Sequence, residues 1–344
     1  GQFHLTVLPV RYLLSHQRPK RFVDCLTPML RQGHYDAVIG FNKMPGLDVY
    51  YAADPCFQAL AVRKRNWISR LGGRYPQYVA FEKAVFDAFA NTEVLLLSES
   101  EKNNFVHYYG TPPERFHLLP PEIAADRFAS VDAKAIRTAL REELRILPQD
   151  KLVLMIGSGF RTKGLDRALI ALSSLPNRDQ VHLIVIGQDN ARPFLRLAAQ
   201  LEVGRQLRML GGRDDVPRFL LGADLLIHPA YRENTGTVLL EAMASGLPVL
   251  TTDACGYAVH VQLAGAGHVL SSPFEQATLN ARLNDMLNLS SPEAWGKSGI
   301  DYAKRLAHFN RAEFAADIIE EKARHKSRLI VPDSPGETTL DRAI

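Results

Sequence analysis

The sequence predicts an α/β protein made of two doubly wound, largely parallel sheets. Three observations predict it. Short apolar runs alternate with amphipathic stretches along most of the chain. The runs are continuous rather than alternating, as strands covered on both faces require. The length of 344 residues suits two ordinary domains. A composition of 46% apolar and 23% charged residues is globular and excludes a wholly disordered or coiled-coil chain. No apolar run reaches the ~18 residues needed to cross a bilayer. A net charge of +4 is too mild to imply nucleic acid by itself.

The elements follow in order. The chain opens at Gly1, without Met, and enters an apolar stretch at 3–10 that reads as a strand. A strand with no preceding turn leads us to expect a missing upstream part. Further strands are expected at 37–40 and 94–97, and another at 116–121 that ends in Pro120-Pro121. A polar, charge-rich stretch at 124–150 then separates two regions, which sets domains at 1–128 and 129–310. Strands at 152–156, 181–187, 224–228 and 248–252 alternate with helices at 165–175, 192–201 and 238–245. Beyond Pro292 the chain reads as helical, the helix at 311–328 is expected to cross back to the first domain, and 331–344 is a polar tail. Cys25, Cys56 and Cys255 are far apart and odd in number, which argues against a disulfide framework or a metal-binding pair. With no signal-peptide pattern at the start, reducing cytoplasm is the expected compartment.

Three segments carry chemistry. Directly after the strand at 152–156 comes Gly157-Ser158-Gly159-Phe160-Arg161-Thr162-Lys163-Gly164. A glycine-rich turn into a helix brings backbone N–H groups and a helix dipole to a phosphate, and Arg161 and Lys163 add cations. It has neither the P-loop nor the dinucleotide spacing, so a plain tight turn is the competing reading. The second segment is sharper. Glu233-Asn234-Thr235-Gly236-Thr237 follows the strand ending in His228-Pro229, and Glu241 lies further along the next helix. Glu233 would reach the crevice at the strand's C-terminal end, N–H groups at 235–237 would face a phosphate, and Glu241 would accept from a ribose diol. The plain alternative is one loop glutamate and one solvated helix glutamate. The third segment, 55–81, contains Arg63, Lys64, Arg65, Trp67, Arg70, Arg74, Tyr75 and Tyr78 and no acid. It reads as an interfacial helix for anionic headgroups or as a solvated positive face. A nucleic-acid platform ranks below both, because its aromatics are not on a sheet. His107, His117 and His228 occur singly and read as structural.

Glu233 and Glu241, with the Ala-Met-Ala-Ser-Gly-Leu-Pro-Val-Leu that follows, resemble the retaining nucleotide-sugar glycosyltransferases of family 4, which have the GT-B fold. The small group of heptose glucosyltransferases of the lipopolysaccharide core is more similar still. Gly40-Phe41-Asn42-Lys43-Met44-Pro45-Gly46, Lys163-Gly164-Leu165-Asp166-Arg167, residues 223–231 and Cys255-Gly256-Tyr257 carry that resemblance. It implies two Rossmann-like domains facing a cleft, and glucose transfer from UDP-glucose to a heptose of the inner core with retained anomeric configuration. It implies that Lys163 pairs with the donor diphosphate, Glu233 meets sugar hydroxyls, Glu241 holds the ribose and Arg213 lines the base pocket. Asn42 and Lys43 would face the acceptor. No metal and no cofactor is expected, and the sequence contains no Asp-x-Asp. The enzyme would sit peripherally on the cytoplasmic face of an anionic inner membrane. The rival readings are a related transferase with another donor sugar or nucleotide, and a catalytically impaired protein that binds lipid surfaces.

The chain departs from the family in three places. The family's opening strand, glycine-rich loop and acceptor-side Asp are not in it, so the first domain is expected to be incomplete. Glu122 stands where the family has Gly, and Thr162 where it commonly has Arg. The first of these would repel a diphosphate unless the side chain points away.

Overall fold

A computed structural model describes residues 4–11, 17–33, 35–63, 74–289 and 293–330, with the side chains of residues 63, 74 and 328–330 left aside. The chain forms two compact units. One holds the described residues up to Leu96, then Glu101–Leu119, then the chain from Ala312. The other holds Leu97–Ser100 and Pro120–Arg311. The boundary thus falls at Leu119, not at residue 128. The reason is packing: Ala129 N donates to Ala244 O (3.0 Å), and the Ser245 hydroxyl donates to Arg127 O (2.7 Å).

In the first unit, helix α1 (Arg18–Gln32) precedes strands β1 (Ile39–Gly40) and β2 (Val49–Ala52). Helices α2 (Phe57–Arg63) and α3 (Arg74–Phe86), strand β3 (Glu93–Leu96), helix α4 (Lys102–Tyr109) and strand β4 (Phe116–Leu118) follow. The four strands pair in parallel in the order β1-β2-β3-β4. The stretch expected to form an opening strand is not one over residues 4–11, where Leu5 and Val7 lie largely in solvent.

The second unit begins with α5 (Ala133–Glu143) and then alternates strictly: β5 (Lys151–Ile156), α6 (Leu165–Ser173), β6 (Val181–Ile186), α7 (Arg192–Gln200), β7 (Leu207–Met209), α8 (Val216–Gly222), β8 (Leu225–His228), α9 (Thr237–Ala244), β9 (Val249–Thr252), α10 (Ala258–Ala264) and β10 (Gly267–Leu270). Helices α11 (Gln276–Leu287) and α12 (Glu293–Leu306) complete it. The continuous apolar runs have a direct structural reason. Along β5, Val153 and Met155 enter one core with α6, α7 and α11, while Leu152 and Leu154 enter another with α8, α9 and α10. Each such side chain, fully withdrawn from water, contributes about 2 kcal/mol.

The sheet order is β10-β9-β8-β5-β6-β7, all parallel. Connections run outward in one direction from β5 and in the other from β8. The crevice beyond the carboxyl ends of β5 and β8 is therefore the topological switch point, where ligands bind in open α/β sheets.

The last helix, α13 (Arg311–Ile330), belongs to the first unit from its second residue onward. Lys322 donates to Asn91 (2.9 Å) and Glu93 (3.0 Å), and Lys326 to Asp48 (2.8 Å). The two lysines are four residues apart and share a helix face. No helix among the described residues is long and apolar enough to cross a membrane.

Candidate functional site

The site grows from two turns at the switch point. After β5, Gly157 (φ +129°) donates its N–H to Ile186 O at 2.8 Å, and Phe160 N–H is held by Asp189 at 2.8 Å. The turn closes with Lys163 N–H on Gly159 O (3.0 Å), and Gly164 (φ +81°) starts α6. A side chain at Gly164 would lie 2.1 Å from Pro229 O, so the turns after β5 and β8 approach each other too closely for any residue but glycine. The Lys163 side chain folds back over Gly157, toward the crevice.

After β8 the chain is pinned just as tightly. Glu233 N–H is held by Ala254 O (3.0 Å), and Glu233 O accepts from Gly256 N–H (3.1 Å). Asn234 O accepts from the Ser98 hydroxyl (2.7 Å), and Thr235 O accepts from Tyr257 N–H (2.8 Å). Gly236 (φ +82°) caps α9, so Thr237 opens a helix whose first N–H groups have no intrahelical acceptor.

These two turns bring Lys163 and Glu233 into direct ionic contact. Both are mostly buried, at 20% and 14% exposure. Burial lowers the Lys163 pKa from its ordinary value. His228 lies beneath, with Nε2 3.6 Å from the Glu233 carboxylate. Its pKa is pushed down to about 3, first by burial and then by the nearby Lys163 charge. His228 is therefore a neutral floor to the ion pair, which agrees with a structural reading and gives it a specific place.

The other residues singled out by the sequence distribute as follows. Ser158 accepts from Gln188 N–H through its hydroxyl (3.1 Å). Arg161 is 80% exposed and stands 3.9 Å from Asp166, away from the Lys163 contact. Arg213, in the turn after β7, is gripped by both oxygens of Asp215 (2.6 and 2.8 Å). That grip holds the Asp215 carboxyl at about 2. Glu241 sits on α9 with its carboxylate 3.3 Å from Arg127 Nε. Burial raises the Glu241 pKa, and Arg127 opposes the rise. Arg127 is a partner of Glu241 that sequence reasoning missed, because its polar surroundings read as a linker.

Both family departures that lie within the chain can be placed. Glu122 is 66% exposed and faces Arg311 at 3.9 Å. Arg311 also donates to Pro120 O (2.9 Å) and to the Tyr257 hydroxyl (3.3 Å). Thr162 presents its carbonyl to Tyr231 N–H (2.9 Å), so this position acts through its backbone.

In the first unit, Asn42 is exposed, but Lys43 is not turned outward. Its ammonium contacts Glu82 (2.5 Å) and Pro55 O (2.7 Å), above the rings of Phe105 and Phe86. Glu82 is fully buried and also accepts from the N–H groups of Phe57 (2.8 Å) and Gln58 (2.9 Å) and from the Tyr109 hydroxyl (2.7 Å). Lys43 is thus a strut beneath its loop, drawn inward by a buried carboxylate that also caps α2. Burial, followed by the Glu82 charge, pushes the neighbouring Cys56 thiol up to about 12, so it is inert. Of the basic segment, Lys64, Arg65, Trp67 and Arg70 lie outside the described residues, as do the side chains of Arg63 and Arg74. Tyr75 and Tyr78 lie against Phe57, with ring centroids 5.9 and 5.2 Å away.

Comparison with known proteins is consistent with this geometry. The family described as glycosyl transferases group 1 matches residues 136–302. The chain is 41% identical over 320 residues to the lipopolysaccharide glucosyltransferase WaaG of Escherichia coli K12, covering 92% of this chain and 86% of that protein. A crystal structure of WaaG, a glycosyltransferase involved in lipopolysaccharide biosynthesis, superposes with a TM-score of 0.84 at 41% identity, over 90% of this chain and 85% of that one. Anabaena HepE in complex with UDP and glucose superposes with a TM-score of 0.68 over 91% of this chain and 83% of that one. At 18% identity, it shows the fold alone.

Proposed function

Since this chain belongs to the glycosyl transferases group 1 family and is a GT-B glycosyltransferase, we propose that it transfers glucose from UDP-glucose to a heptose of the lipopolysaccharide core. The observation that carries this reading is the Lys163–Glu233 pair at the switch point of the second sheet, beside the N-terminus of α9. A nucleotide sugar offers a diphosphate to the cation and hydroxyls to the carboxylate. Lys163 then compensates the charge that grows on the departing diphosphate, and the first N–H groups of α9 add to it. Glu241 accepts from the ribose, with Arg127 opposing the rise in its pKa that burial causes. Charge compensation comes from protein groups, with no metal ion in the scheme. Retention of configuration fits front-face attack, in which the leaving phosphate takes the acceptor proton. Glu122, exposed and facing Arg311 at 3.9 Å, supports an intact donor pocket over the impaired reading.

A donor screen tests the reading. UDP-glucose with a purified heptose-terminated core oligosaccharide is expected to give a glucosylated product, and other nucleotide sugars little. Preference for another donor would replace glucose in the proposal, and no transfer from any donor would reject it. The acid-free segment 55–81 supports peripheral attachment to the anionic cytoplasmic face of the inner membrane. Charge reversal of Arg63, Lys64 and Arg65 is expected to reduce sedimentation with anionic liposomes. Undiminished sedimentation counts against that attachment.

A further inference from the structure

Arg167 lies in the first turn of α6 and takes no part in the chemistry above, yet it is held from several sides. Its guanidinium carbon sits 3.6 Å from the ring centroid of Tyr231 and 3.6 Å from that of Phe274. Nη1 donates to both Pro229 O and Ala230 O, each at 3.1 Å. Its own carbonyl accepts from the Gln276 side chain (3.0 Å). Next to it, Asp166 accepts from the Tyr231 hydroxyl (2.8 Å), and Tyr231 N–H is held by Thr162 O (2.9 Å).

The topology gives this cluster its meaning. Arg167 follows β5, residues 229–231 follow β8, and Phe274 follows β10. One guanidinium therefore ties together three turns at the carboxyl edge of the same sheet. Two of them are the turns that carry Lys163 and Glu233. Only the planar fork of arginine can lie between two rings and still donate in its own plane to neighbouring carbonyls.

We propose that Arg167, clasped between Tyr231 and Phe274, is the positioning residue that holds the 229–233 turn so that Glu233 meets the donor sugar. The proposal rests on the role given to Glu233 under the proposed function. It separates two ligands that share a diphosphate. UDP, which lacks the sugar, makes no use of Glu233, whereas the reacting nucleotide sugar does.

The test compares Arg167→Lys with wild type, using the UDP-sugar that the donor screen selects. Turnover is expected to fall about tenfold or more, since small misplacements of a contact group are costly. UDP affinity by calorimetry is expected to stay within about twofold, because the diphosphate contact remains. The double variant Arg167→Lys/Glu233→Gln is expected to be no slower than Glu233→Gln alone, because the arginine acts only through the glutamate. Phe274→Leu, which removes one face of the clasp and no hydrogen bond, is expected to show the same split with a smaller loss. If UDP affinity falls in step with turnover, or if the two losses multiply in the double variant, Arg167 supports the fold in general and the proposal is overturned. If Glu233→Gln itself turns over at the wild-type rate, the reading of Glu233 fails instead, a distinct result.

Discussion

Lys163→Ala is expected to lower turnover by about 10²- to 10³-fold, the loss typical when one preorganised charge-stabilising donor is removed. The magnitude follows from where the ammonium sits. It is largely withdrawn from water and backed by a neutral histidine, so its field at the crevice is weakly screened. In the proposed reaction negative charge grows on the leaving diphosphate, so the loss should fall mainly on kcat. Glu233→Gln would free the lysine without removing it, and its effect should be smaller. The measurement is initial rate at saturating donor. A Lys163→Ala enzyme within about threefold of wild type would show that the cation does not act on the leaving group.

Glu82→Ala is expected to destabilise the first unit by about 3–5 kcal/mol, the range for breaking a buried, hydrogen-bonded ion pair. The carboxylate is fully buried and satisfies Lys43, Tyr109 and two N–H groups at the start of α2. Its loss leaves the Lys43 ammonium on Pro55 O with no counter-charge, and several other donors without an acceptor, in an apolar setting. Glu82→Gln keeps an acceptor but not the charge, and should cost less. Urea unfolding followed by tryptophan and far-UV signals reads the effect. A shift below about 1 kcal/mol would mean that water takes over the role of the carboxylate.

The core of the second unit was the most legible part of the fold. The strands at 152–156, 181–187, 224–228 and 248–252 are built around apolar runs because both faces of each are buried, and such runs are hard to misread. The strands β7 and β10 went unrecognised for the converse reason. They close the two edges of the sheet, are short, and carry Arg208 and His268, so no continuous run marks them. Lys163 and Glu233 were visible because each follows an apolar strand at a predictable place. The partner Arg127 was not, and Arg167 was visible only as part of a motif, without its contacts. Arg127 lies in a polar stretch that resembles a linker, and nothing local indicates that it meets Glu241. Lys43 showed the limit most clearly: next to an exposed Asn42 it reads as a surface cation, and only the fold reveals the buried carboxylate that draws it in.

Gly164 can be seen in the same light as these charges. Its contribution to the site is an absence, the volume through which the Pro229 carbonyl passes on its way past the turn after β5. A methyl group there would wedge the two turns apart and carry Lys163 away from Glu233 while leaving every ionisable group in place. A count of charged and polar residues would therefore pass over a position where a single methyl group displaces both turns.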